Sequence, residues 1–272
     1  MLQIGALNIS AQSPAIMGII NITPDSFFDG SRKQSEKEIL ESVEQQLKDG
    51  ADIIDLGAYS SRPNALNISP EEEWERLAPA LSSIRNTYAD VLLSVDTFRA
   101  SIAARAIEEG ADIINDISGG TLDDEMFALI AEHNTPYILM HMRGNPQNMQ
   151  QLNQYTNLIA DVVAEIEHRH TLLKSMGANR IIIDPGFGFA KNVEQNFELL
   201  SSLDAFEKLD APLLVGVSRK SMIYKSLNID ASEALNGTSV LNSVALLQGA
   251  AVLRVHDVKE AVEVRTLIKK LI

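Results

Sequence analysis

The sequence predicts an α/β fold, a (β/α)8 TIM barrel with a short N-terminal hairpin, on three observations. First, a unit recurs. Gly50-Ala51-Asp52-Ile53-Ile54-Asp55-Leu56-Gly57 and Gly110-Ala111-Asp112-Ile113-Ile114-Asn115-Asp116-Ile117 are near copies, and the stretches opening at Gly177 and Gly249 share their plan of Gly-Ala, a short apolar run and polar residues at its end. The glycine suits the position just past a helix, where φ is positive. Second, four further apolar runs also end in polar residues: Ile16 to Ile20 before Asn21, Val91 to Val95 before Asp96, Tyr137 to Met140 before His141, and Leu213 to Val217 before Ser218. That makes about eight strands in alternation with helical segments, each delivering polar groups at its carboxyl end. Third, the chain has 272 residues, close to the roughly 250 of a barrel that forms one domain. No linker divides it, so residues 1–272 read as a single domain.

In chain order, Met1 to Ser13 reads as a hairpin closing the barrel floor, with no signal peptide or membrane span. After the first strand comes the loop Asn21 to Gly30. Its Phe27 and Phe28 are costly to leave in water and read either as a cover over a site or as local packing on the first helix. That helix is predicted to open with Ser35 as N-cap and Glu38 completing a capping box, with Ile39, Val43 and Leu47 facing the barrel. The loop after the second strand, Ala58 to Asn64, carries hydroxyls and the cation Arg62. Ser69-Pro70 starts the next helix with Pro at the first helical position. Trp74, Leu77, Leu81 and Ile84 form its apolar stripe, and Pro79 should kink it. Asp96 ends the third strand, and Thr97 is predicted to cap the following helix, which leaves Asp96 free for other work. Asn115 and Asp116 end the fourth strand.

Around the fifth strand end, Met140 and Met142 offer soft walls suited to a flat ring, while His141 reads equally as a ligand or as a satisfied structural histidine. The stretch Ile181 to Lys191 puts three β-branched residues, a strand buried on both faces, directly before Asp184 and a Pro-Gly turn. Asp184 either caps that turn or faces the space above the barrel. The recurrence of polar strand ends favours the second reading. The last two units, Val217-Ser218-Arg219-Lys220-Ser221 and Leu253-Arg254-Val255-His256-Asp257, bring positive charge where barrels often bind phosphate. Arg219-Lys220 also reads as a solvated charge pair. Arg254, between two apolar residues, needs a partner, and it offers a fork for phosphate oxygens and a face for rings.

Charge and composition exclude several classes. A formal net charge of −14 argues against a nucleic-acid surface, so an anionic ligand requires a locally positive pocket. The absence of cysteine excludes disulfides and thiolate metal sites and suits the cytoplasm.

The motifs Asn21-Ile22-Thr23-Pro24-Asp25-Ser26-Phe27, Ser60-Ser61-Arg62-Pro63, Ser94-Val95-Asp96-Thr97, Ile114-Asn115-Asp116, Met140-His141-Met142, Asp184-Pro185-Gly186-Phe187-Gly188-Phe189, Ser218-Arg219-Lys220-Ser221 and Arg254-Val255-His256-Asp257 resemble, in this order, those of the dihydropteroate synthase family. The resemblance implies a cytoplasmic homodimer that joins 7,8-dihydropterin-6-ylmethyl diphosphate to p-aminobenzoate and releases diphosphate. It implies that Asp96, Asn115, Asp184 and Lys220 read the pterin edge, with Met140, Phe189 and Ser61 also in contact with that substrate. Arg254 would stack on the pterin and reach the diphosphate with His256, and Asn21 would lie near a Mg2+ ion held largely by phosphate oxygens and waters. Phe27, Ser61, Arg62, Pro63 and Ser221 would form the p-aminobenzoate pocket. Asp29 and Asp96 would supply negative charge favouring a pterin-methyl cation, which places Asp29, Asp96, Lys220, Arg254 and His256 in the catalytic group.

The sequence departs from the usual pattern at Tyr59, where the family has Glu, and at Asn64 and Ala190, where it has Gly. A methyltransferase acting on methyltetrahydrofolate resembles the family in its ring-reading Asp and Asn residues, but has no use for the Arg219-Lys220 and Arg254 motifs. A pterin-binding protein without turnover is the alternative from outside the enzymes.

Overall fold

The computed structural model describes residues 1–22, 32–59 and 67–271, with 32–35 described through their backbone alone. A hairpin of β1 (Leu2–Ile4) and β2 (Leu7–Ile9) comes first, turning at Gly5 with a φ of 55°. Strands and helices then alternate: β3 (Ala15–Asn21), α1 (Arg32–Asp49), β4 (Ile53–Gly57), α2 (Pro70–Thr87), β5 (Leu92–Asp96), α3 (Ala100–Glu108), β6 (Ile113–Asp116) and α4 (Met126–His133). The second half continues with β7 (Tyr137–Met140), α5 (Leu158–Ser175), β8 (Ile181–Asp184), α6 (Val193–Leu200), β9 (Leu214–Val215), α7 (Ser221–Leu227), α8 (Leu235–Leu247), β10 (Val252–Val255) and α9 (Val258–Ile268).

The eight strands β3 to β10 pair in parallel in the order β8-β7-β6-β5-β4-β3-β10-β9, and one parallel bridge from Ile183 to Leu213 joins the two ends. This is the expected barrel. The recurring glycines do what their position suggested: Gly50, Gly110, Gly177 and Gly249 have φ of 98°, 93°, 105° and 87°, a conformation that spares glycine the Cβ clash other residues meet. Each ends a helix and sends the chain back into the barrel.

Side chains alternate between the two faces of each strand. Outward residues such as Ile16, Ile54, Leu93, Ile114, Leu139, Ile183 and Leu253 pack under the helices, where Ile39, Val43, Leu77, Leu81 and Ile84 meet them. Inward residues at the amino end, Met17, Ile53, Ile113, Ile138, Ile182, Leu214 and Val252, form a second apolar cluster with Leu2, Ile4 and Ile9 of the hairpin. The hairpin therefore plugs the floor, and any ligand must enter from the carboxyl end.

Three local expectations fail. Helix α1 begins at Arg32, so Ser35 lies within it and is not its N-cap. Helix α3 begins at Ala100, and its backbone N–H is capped by the Asp123 carboxylate at 2.7 Å, so the cap comes from another loop. Thr97 donates its hydroxyl to Glu73 instead, at 2.7 Å. Finally, the run Leu213 to Val217 forms regular strand only at Leu214–Val215, because the Leu213 carbonyl accepts from both Ala251 and Val252, at 2.8 and 3.0 Å, which shifts the ladder. The start of α2 is as expected, with Ser69 accepting from Glu72 N at 3.1 Å and Pro70 in the first turn. That helix runs on through Pro79.

Candidate active site at the carboxyl end of the barrel

Two residues above the apolar floor, the period of two brings the side chains of Asp55, Ser94, Asn115, Met140, Asp184 and Arg254 into the barrel. This layer is polar, and Arg254 is its hub. Its Nε donates to Asp55 Oδ2 at 2.6 Å and its Nη2 to Asp96 Oδ2 at 2.7 Å. Burial alone would make the guanidinium easier to deprotonate, but the Asp55 and Asp96 charges outweigh it and hold the group firmly cationic. Burial pushes the Asp96 carboxyl up to about 7, with Arg254 opposing and Asp55 adding to the rise.

Asn115 donates its amide to the same Asp55 Oδ2 at 3.2 Å. One carboxylate oxygen thus orients both the arginine and the asparagine, and it leaves Asn115 Oδ1 as an acceptor. Asp55 Oδ1 and Ser94 Oγ are buried and have no partner among the described residues, and the two residues face each other across β4 and β5. An unpaired buried polar atom costs about 1–3 kcal/mol.

Asp184 does both things its sequence allowed. Its Oδ1 accepts from Gly186 N at 2.7 Å, and its Oδ2 has no partner among the described residues. Burial raises its pKa, while Lys220 and the Gly186 N–H pull the other way. Lys220, the residue before α7, donates to the Phe187 carbonyl and lies 4.8 Å from the centre of the Phe189 ring. Burial lowers its ammonium to about 8 against the attraction of Asp184. Ser221 follows at the first position of α7, partly buried.

Beside Arg254, Ser218 and His256 meet at the strand ends. Ser218 Oγ and His256 Nδ1 are 3.0 Å apart, and the same hydroxyl oxygen accepts from His256 N at 3.2 Å. Packing around the ring and the positive charge of Arg254 push the His256 imidazole down to about 4. One side of the residue stays exposed, so the neutral ring can still reach a ligand at pH 7. Arg219 is committed elsewhere: its guanidinium forks onto Asp257 at 2.9 and 2.8 Å and donates to the carbonyls of Ala231 and Ser232. It ties the loop after β9 to the start of α9.

An apolar wall completes the mouth. Met140, Met142, Met149, Ile117 and Ala190 cluster with Phe98 and Phe189. Tyr59 meets Phe98 edge-on at 5.0 Å and accepts a hydrogen bond at its hydroxyl from Gln147 at 3.2 Å, so the residue replacing the family's Glu extends this wall. Ala190, where the family has Gly, takes a φ of 50°, a strained conformation for a residue with a Cβ. His141 is a satisfied structural histidine: Nε2 is 3.0 Å from Glu165 Oε2, and Nδ1 accepts from Lys191 at 3.0 Å. Burial, with Lys191 adding, lowers its pKa to about 3.

Of the residues singled out in the sequence, Asp96, Asn115, Met140, Asp184, Phe189, Lys220, Arg254 and His256 gather at this mouth, with Asn21 at the end of β3 on its rim. Phe27, Asp29, Ser61, Arg62, Pro63 and Asn64 lie outside the described residues. Asp55 was missed, although the near-copy units align it with Asn115 and so mark its position as inward. Among the described residues no group of three His, Asp or Glu side chains could hold a metal. Asn21 offers one exposed amide oxygen, a donor set that fits only an ion ligated mainly by substrate oxygens and water.

Known proteins agree with this arrangement. Residues 17–256 match the family described as pterin binding enzyme. Dihydropteroate synthase of Synechocystis is 43% identical over 92% of this chain and 87% of its own length, and that of Escherichia coli (strain K12) is 39% identical over 96% and 93%. Among solved structures, Yersinia pestis dihydropteroate synthase with a sulfonamide drug superposes with a TM-score of 0.90 at 36% identity, covering 99% of this chain and 98% of that one. The Xanthomonas albilineans enzyme with 4-aminobenzoic acid gives 0.89 at 31%, covering 99% and 97%. Fold and site thus define a class, the pterin-binding enzymes built on an eight-stranded barrel. Within that class the chain belongs to the dihydropteroate synthase family.

Proposed function

We propose that this chain joins 7,8-dihydropterin-6-ylmethyl diphosphate to p-aminobenzoate, giving 7,8-dihydropteroate and diphosphate in folate biosynthesis. The observation that carries the reading is the set of acceptor oxygens on Asp96, Asn115 and Asp184, without a partner among the described residues while their other atoms are held, beside the donors Lys220 and Arg254. A pterin edge presents amidine-like N–H groups and one carbonyl in a plane. A hydrogen bond to an ionised partner contributes about 1.5–3 kcal/mol, so several together select this ring among flat heterocycles. Met140 and Phe189 would cover its faces.

Charge supports the bond-breaking step. The Asp96 carboxylate, when ionised, would favour positive charge developing on the pterin methylene as diphosphate leaves. The neutral His256, its Nε2–H free when Nδ1 accepts from Ser218, would donate to the departing diphosphate, with Arg254 reaching it over the ring. Mg2+ would bind at Asn21 and neutralise phosphate charge. The arylamine then attacks from the loops carrying Phe27, Asp29, Ser61, Arg62 and Pro63, near Ser221. We take the active form to be a cytoplasmic homodimer. No helix among the described residues is long and apolar enough to cross a membrane.

The reading is tested through the second substrate. A sulfonamide offers the aniline ring of p-aminobenzoate with a sulfonyl in place of its carboxylate, and diphosphate held in the site would complete the arylamine pocket. Calorimetric titration should give weak sulfonamide binding to the free chain and tighter binding with Mg2+ and diphosphate, in competition with p-aminobenzoate. Competition with the pterin instead would place the arylamine elsewhere and overturn the assignment of the loops carrying Phe27 and Arg62.

A further inference from the structure

The segment after β8 runs from Pro185 to Lys191 and contains three positive φ angles, 75° at Gly186, 81° at Gly188 and 50° at Ala190. Such a backbone forms no helix or strand, and its carbonyls have no ladder to join. Each of five successive carbonyls is nevertheless taken by a side-chain donor. Lys191 Nζ donates to Gly186 O at 3.0 Å and to Phe189 O at 3.1 Å; Lys220 donates to Phe187 O, Gln150 to Gly188 O at 3.3 Å, and Tyr155 to Ala190 O at 2.9 Å. The N–H groups of Gly186 and Gly188 go to Asp184 Oδ1 and Asn196 Oδ1. The segment is therefore a plate pinned from β8, α6, α7 and the loop after β7.

Lys191 is the pin at its centre. Only 3% of it is exposed, and it spends its donors on two carbonyls three residues apart and on His141 Nδ1 at 3.0 Å. His141 is anchored in turn, its ring by Glu165, which also receives Arg143 Nε at 3.0 Å, and its backbone N–H by the Asp184 carbonyl at 2.9 Å. A Cβ on Gly186 would run into the His141 carbonyl oxygen, so the plate lies directly against the end of β7. Burying a lysine is costly unless it is well paired, and here burial draws its pKa down to about 7 although Asp184 attracts the charge. The donor geometry serves the two residues at the ends of its span: the Gly186 N–H that grips the Asp184 carboxylate, and the Phe189 ring under Lys220.

We infer that Lys191 is a positioning residue for pterin recognition, holding the Gly186 to Phe189 plate in the one shape that presents Asp184 Oδ2 and the Phe189 ring to the ligand. This rests on the functional reading above. The neighbouring cation Lys220 contacts the ligand space directly; Lys191 acts through the backbone.

The test compares Lys191→Met with Arg85→Met in the full chain. Arg85, partly buried, is another cation that collects backbone carbonyls, those of Ala89, Val91 and Gly110, but at the amino end of the barrel, so both substitutions cost stability. Lys191→Met should weaken binding of a non-reacting dihydropterin tenfold or more by calorimetry and leave the KM for p-aminobenzoate within twofold. Arg85→Met should lower Tm and leave pterin affinity unchanged. Lys191→Gln, whose amide keeps two donors on a shorter stem, should fall between wild type and Lys191→Met, and it carries the comparison if the methionine variant does not fold. Pterin affinity within twofold of wild type in a folded Lys191 variant overturns the inference, as does an equal loss in Arg85→Met. Failure of the wild-type chain to bind the pterin would instead overturn the functional reading, and this inference with it.

Discussion

Replacing Asp184 by Asn separates ligand recognition from folding more cleanly than any other change at this site. The asparagine keeps the shape, and its Oδ1 can accept from Gly186 N as the Asp184 oxygen does at 2.7 Å, so the turn after β8 should survive. Only the other atom changes: the open acceptor Oδ2 becomes an NH2 that points donors at a ligand edge of donors. The loss is one hydrogen bond to a charged group, about 1.5–3 kcal/mol, which is about tenfold to about a hundredfold in affinity at 1.4 kcal/mol per decade. Stability should move the opposite way or hardly at all. Burial already disfavours the charged carboxylate, as its raised pKa records, and a neutral amide removes that penalty. The assay is calorimetric titration of a dihydropterin that lacks the leaving group, paired with a thermal melt. A dissociation constant within threefold of wild type would remove Asp184 from the pterin site. A large drop in Tm would show that its role is structural.

Asp55→Ala should behave in the contrary fashion. It takes one carboxylate from Arg254 and the amide partner from Asn115, and the expected loss in urea unfolding is at the low end of about 3–5 kcal/mol because Asp96 still pairs with the arginine; a loss below about 1 kcal/mol would mean that the pair contributes no support to the layer. For pH, Lys220 donates as an ammonium and its pKa is lowered to about 8 by burial. The donor is lost as pH rises through that value, so kcat/KM for the pterin diphosphate should fall on the alkaline side of about pH 8, and a profile flat to pH 9.5 would exclude Lys220 from recognition.

The barrel was legible because its signals are periodic and repeated. Four Gly-Ala units, at Gly50, Gly110, Gly177 and Gly249, each ended a helix and began a strand, and the apolar runs between them carried the alternation that separates floor from helix-facing core. Helix starts were less legible. Ser35 has the capping pattern yet sits inside α1, and the cap of α3 is Asp123, 23 residues from the N–H it accepts, a partnership no local pattern contains. The same distance effect hid Asp55, whose partner Arg254 is 199 residues away. The need of Arg254 for a partner could be read from its apolar neighbours; the identity of the partner came only from closing the barrel. Lys191 looked like the tail of a loop motif, because its function lies in the backbone carbonyls it collects.

On the proposed function this mouth breaks and makes a bond, and does not only hold a pterin. Release of diphosphate from 7,8-dihydropterin-6-ylmethyl diphosphate, followed in the presence of Mg2+ with and without p-aminobenzoate, tests it most directly. Sustained release that requires the arylamine and matches the pteroate formed mole for mole is the expected result. Tight pterin binding in the same preparation, with no release above background when both substrates are present, would contradict it and leave a binding protein in place of an enzyme.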